Sequence, residues 1–89
     1  MIVTEIVYGS RMCSCGCRGL ITGEAYRYDV GRRKRYFSSR LHVKWDMERR
    51  LTKIMKPLHV KPTPKIVEEE TDRFIKEFLE KVIVKPPEY

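Results

Sequence analysis

Residues 2–8 read Ile-Val-Thr-Glu-Ile-Val-Tyr, a run of β-branched and aromatic side chains that predicts a strand. Gly9 and Ser10 end it. Residues 11–23 hold every cysteine of the chain and three glycines, with no helical period, and predict a knuckle followed by a loop. From 24 to 30 the side chains alternate: Tyr26, Tyr28 and Val30 share one face, and Arg27 and Asp29 share the other. Gly31 permits a turn. Lys34-Arg35-Tyr36-Phe37 then reads as the returning strand of a hairpin.

The period changes at Ser38 and Ser39, which suit a helix N-cap. From there to Lys56 the pattern is helical. Met47, Leu51, Ile54 and Met55 make the stronger apolar stripe; Leu41, Trp45, Glu48 and Thr52 fall along another side, with Trp45 expected in the core. Pro57 pushes Lys56 out of helical geometry and stops the helix. Residues 57–65, with Pro57, Pro62 and Pro64, predict a stiff extended linker. A second helix is expected from about Ile66 to Val84. Val67, Thr71, Phe74, Phe78 and Val82 line its stripe, widened by Ile75, Leu79 and Ile83. Glu68, Glu69, Glu70 and Asp72 sit in its first half, where the helix dipole favours negative charge. Pro86-Pro87 closes it. The expected fold is α+β: a small module over 1–56 (strand, cysteine knuckle, β-hairpin, helix), the linker 57–65, and an amphipathic helix over 66–84.

At 89 residues the core is marginal without help, and small folds recruit a metal, disulfides or a partner. Net charge is +7, from 19 Lys and Arg against 12 Asp and Glu, which favours polyanionic partners. Arg27, Arg32, Arg33, Lys34 and Arg35 crowd the predicted hairpin. The first residues lack the basic and apolar regions of a secretory signal. No apolar run reaches bilayer length. A soluble, cytoplasmic protein is expected (in the host cytoplasm if viral), with no membrane partner. Asn and Gln are absent from the sequence, a weak thermophile signature.

Cys13, Cys15 and Cys17 lie within five residues. Adjacent members are too close for ordinary disulfide geometry; a Cys13–Cys17 bridge or redox-active thiols stay open as alternatives. In a tight turn eased by Gly16 the three can converge on one ion, and zinc takes thiolate and imidazole ligands in fours. His42, in the first turn of the expected helix, is the first candidate for the fourth ligand. His59, in the linker, is the second.

Knuckle, hairpin, then a helix whose first turn supplies ligands resembles a treble-clef zinc finger. Cys17-Arg18-Gly19-Leu20-Ile21-Thr22-Gly23-Glu24-Ala25-Tyr26-Arg27-Tyr28, followed by Arg35-Tyr36-Phe37, is distantly similar to poly(ADP-ribose) polymerase-type fingers. That resemblance spans about residues 11–45 and implies zinc and DNA binding. It departs from the family where a distal His-x-x-Cys is expected: Ser38 and Leu41, or His42 and Trp45, stand there instead.

Nucleic acid, DNA in preference, is the partner expected of this chain. Arg27, Arg32, Arg33, Lys34, Arg35, Arg40 and Lys44 are the candidate contacts, giving phosphate affinity without sequence information. Tyr26, Tyr28 and Tyr36 suit either base stacking or the core. The other reading is a protein-interaction adaptor or an inhibitor of a cellular or host factor, acting through the C-terminal helix, which could also pack on its own domain or pair with a second copy. No phosphate-cradling glycine loop or nucleophile motif is present, so an enzyme is not expected.

Overall fold

The alternation of residues 23–37 becomes a hairpin. In the computed structural model, which describes residues 2–86, β4 (Gly23–Val30) pairs antiparallel with β5 (Arg33–Phe37), placing Tyr26 opposite Phe37 and Val30 opposite Arg33. Gly31 takes the left-handed conformation the turn requires, at φ 69°. β1 (Val3–Tyr8) is the expected first strand. A second, two-stranded hairpin of β2 (Arg11–Met12) and β3 (Leu20–Ile21) brackets the cysteines. Helix α1 (Arg40–Met55) starts at N-cap Ser39, whose carbonyl accepts from the Val43 amide.

The chain then departs from the expected single long helix over 66–84. A short 3-10 turn, Lys56–Leu58, ends with His59 in a left-handed conformation. Helix α2 (Pro64–Phe78) begins earlier than expected: Thr63 caps it by accepting from the Ile66 amide at 3.3 Å, and Pro64 takes a position where no amide is needed. It also ends earlier. Leu79 is extended (φ −96°, ψ 146°), and Glu80–Lys85 form a strand, β6. The β-branched run Val82-Ile83-Val84 favours that state. Pro87, read as part of the helix stop, lies outside the described residues.

β6 is not peripheral. The sheet order is β1-β6-β4-β5, with β6 parallel to β1 and antiparallel to β4. Val82 and Val84 are therefore buried in a central strand and join Val7, Ala25, Phe37 and Val43 in the core. The molecule is a small α+β fold in which α1 and α2 pack together.

α1 also corrects the expected stripe. Its buried residues are Val43 and Asp46; Ile54 is exposed and Trp45, expected in the core, is 45% exposed. On α2 the expected stripe is largely consumed within the chain. Val67, Thr71 and Phe74 are buried, and the Phe74 ring meets Tyr28 edge-on at 5.0 Å, while Phe78 is exposed. No helix of the described residues is long and apolar enough to cross a membrane.

Candidate metal centre

The β2–β3 hairpin makes the cysteine loop a defined object rather than a flexible one. The Cys13 amide donates to the Gly19 carbonyl at 2.9 Å and closes the loop at its neck. The Ser14 amide donates to the Tyr36 carbonyl at 2.8 Å, fastening the loop to β5. Gly16 turns the chain at φ 95°, a conformation that disfavours any other residue, and the Arg49 guanidinium lies close against it. Across from the loop, α1 presents His42 from its first turn.

These elements bring four ligand atoms together. Cys13, Cys15 and Cys17 Sγ lie 3.5, 3.1 and 3.5 Å from His42 Nδ1, and Cys13 Sγ is 3.3 Å from Cys15 Sγ. All four atoms fall within 4.8 Å of one another. Zinc arms of ~2.3 Å to sulfur and ~2.0 Å to nitrogen give tetrahedral edges of about 3.5–3.8 Å, so the cluster has the size of a four-ligand site. The donor set fits as well: three soft thiolates and an imidazole favour zinc over magnesium or calcium. His59 is not part of the cluster.

The surroundings set the two buried thiols apart. Burial raises the Cys13 thiol, but hydrogen bonds from the Cys15 and Ser38 main chain outweigh it and hold it below its ordinary value. Cys15, penalised first by burial and further by the Cys13 charge, is pushed up to about 12. Two thiolates side by side are tolerated only when a positive ion compensates them. The first turn of α1 adds a positive dipole end at the same place.

Asp46, one helical turn beyond His42, is the residue that sequence reasoning missed. Only 2% exposed, it accepts from Arg35 at 3.0 Å and Arg49 at 2.9 Å through Oδ1, and from Arg50 at 2.9 Å through Oδ2. Arg35 and Arg49 also donate to the Ser14 carbonyl, at 3.2 and 3.5 Å. The carboxylate thus aims two guanidinium groups at the peptide between the first two cysteines. Its only sequence signal was an acid set among basic residues.

The expected nucleic-acid residues separate into two groups. Arg27 is buried between Glu5 and Glu80, at 2.6 Å from each. Arg35 serves Asp46. Arg40 pairs with Glu68 and Asp72, and Lys44 lies 2.6 Å from Glu68. Those four cations are paired within the chain, Arg27 and Arg35 with largely internal roles and Arg40 and Lys44 at the surface. Arg32, Arg33 and Lys34 are exposed at the end of the β4–β5 hairpin. Arg11, not anticipated, joins Arg32 and Lys34 in lining an open groove of about 430 Å³ beside the knuckle. Of the tyrosines, Tyr36 is buried, and Tyr26 and Tyr28 pack against the core.

No protein-family model matches the chain, and neither a curated protein nor a solved structure matches it. The centre has the Cys3His composition of a zinc finger. Likeness to poly(ADP-ribose) polymerase-type fingers rests on the residue pattern alone.

Proposed function

We propose that the protein is a non-enzymatic zinc module that binds DNA through the cationic groove beside its metal knuckle. Cys13, Cys15, Cys17 and His42 would hold one zinc ion. Four protein ligands complete a tetrahedron and leave no position for a substrate, which favours a structural role over a catalytic one. Zinc bound here would lock the β2–β3 loop to the start of α1 and so fix the wall of the groove.

What supports the DNA reading is the composition of that groove. Arg11, Arg32 and Lys34 line it, together with Ser10 and Ser14, and no carboxylate does among the described residues. Cations so arranged suit phosphates and carry no base code, so affinity without strong sequence preference is the expectation.

Native mass spectrometry with and without a chelator tests the metal: one zinc per chain is expected. Titration with labelled DNA at two salt concentrations tests the partner. Affinity should fall steeply with salt, as counterion release requires. Replacing Arg32, Arg33 and Lys34 together by Ala should weaken binding broadly at unchanged melting temperature. Absence of binding at low salt, or binding indifferent to salt, would end the DNA reading while leaving the metal untouched.

A further inference from the structure

A second groove, also of about 430 Å³, runs along the solvent side of α1 and is lined by Trp45, Glu48, Arg49, Thr52, Lys53 and Lys56. Trp45, Arg49 and Lys53 follow at intervals of four residues, and Lys56 lies one turn further on, so they occupy one stripe of the helix. The Trp45 ring is left 45% exposed among these cations. The ring is nevertheless held in place, meeting the His42 imidazole edge-on at 4.8 Å between centroids.

A single hydrogen bond links the residues of the two grooves. Ser14 lines the first, and its carbonyl accepts from Arg49, which lines the second. Arg49 also lies against Gly16 at the tip of the knuckle. Cations thus flank the knuckle on both sides, Arg11, Arg32 and Lys34 in one groove and Lys53 and Lys56 in the other, with Arg49, paired to Asp46, between them. The only carboxylate among the groove-lining residues is Glu48.

We infer that the two grooves together are the track of a single DNA strand, with an unpaired base stacked on Trp45. The inference rests on the DNA reading above and narrows it. Charge complementarity along both grooves suits a phosphate backbone. The exposed indole suits a base face, which a duplex keeps inside its stack. The DNA reading above sets the sugar of the strand, and an RNA competitor tests it through the 2′-hydroxyl that distinguishes RNA.

Trp45 is the one tryptophan of the sequence, so its fluorescence reports this site alone. The probe is a fluorescein-labelled twelve-nucleotide oligothymidylate, read by anisotropy for binding, with the unlabelled strand used for Trp45 quenching. Duplex DNA and an RNA strand serve as competitors. Quenching should follow the same isotherm as anisotropy. Trp45→Ala should weaken the single strand by about tenfold, the scale of one lost base stack, and change duplex binding less than twofold. Trp45→Phe keeps a ring and should recover part of the loss, while native mass spectrometry verifies that both variants retain zinc. Anisotropy without any quenching, or a duplex that competes better than the single strand, would overturn the inference and leave the DNA reading standing. RNA bound tenfold more tightly would overturn the assignment to DNA. No anisotropy change with this strand or with a labelled duplex would remove both.

Discussion

The two buried charges among the described residues, Arg27 and Asp46, are mirror images. At the sheet end a cation, Arg27, sits between the carboxylates of Glu5 on β1 and Glu80 on β6. At the metal end an anion, Asp46, sits among the guanidinium groups of Arg35, Arg49 and Arg50. Each joins distant parts of the chain: Arg27 ties both outer segments to β4, and Asp46 ties β5 and the cysteine knuckle to α1. They differ in what surrounds them. Glu5 and Glu80 are half-exposed and can rehydrate if Arg27 is lost. The arginines around Asp46 are also part-exposed, but two of them reach the Ser14 carbonyl beside the candidate metal site. A small fold of this kind gains more from a network leaning on a metal than from one leaning on solvent-accessible carboxylates.

The sharpest way to break that comparison is to remove the metal. Zinc binding to small modules is worth about 10–16 kcal/mol and is folding free energy. Chelation, or Cys15→Ser, should therefore abolish cooperative melting of the metal end by circular dichroism, and equal melting with and without chelator would exclude a structural ion. Next in size, Asp46→Ala should cost about 2–4 kcal/mol, because it removes three charge-assisted contacts at once, although the part-exposed guanidinium groups left behind can return to water. It should also speed zinc transfer to a colorimetric chelator, whereas Arg50→Gln, which touches Asp46 but not Ser14, should leave that rate nearly unchanged.

Arg27→Met should cost less, about 1–3 kcal/mol, since the apolar stem is replaced and the carboxylates can return to water. Denaturant midpoints of the two variants decide the order, and an Arg27 variant weaker than the Asp46 one would reverse the comparison. The sheet end also carries a pH signature. The hydrogen bond from Arg27 holds the Glu5 carboxyl below its ordinary value of 4.5. A carboxyl depressed on folding stabilises above its unfolded pKa and loses that contribution as pH falls through the folded one. A stability loss below about pH 4.5 is thus expected in the native chain and should shrink in Arg27→Met. The smallest effect belongs to Glu68, whose surface contacts with Arg40 and Lys44 are screened by water. Glu68→Gln should shift the melting curve least of all, and at high salt not at all.

The cysteine cluster and His42 were legible from spacing, because few other uses explain three thiols at alternate positions before a helix. The β4–β5 hairpin and α1 were legible from period and turn chemistry. β6 was not. Val82 and Ile83 also continue the helical stripe of Phe74 and Phe78, and only tertiary pairing with β1 and β4 decides between the two periods. The cations misled for a related reason: local sequence shows a charge but not its partner. Glu5, Glu68 and Glu80, which occupy Arg27, Arg40 and Lys44, lie 22 to 53 residues away from them or about as far. Trp45 looked like core because an apolar residue at helical spacing usually is.

The parallel pairing of β1 with β6 has a consequence for the order of assembly. Val3 lies opposite Lys81, so the first strand made has to wait for one of the last. During synthesis the knuckle, hairpin and α1 can gather around zinc while β1 has no neighbour, its apolar flanks open to water. The slow step of maturation should be insertion of the late strand between two segments already in place, the long-range closure that topology makes costly.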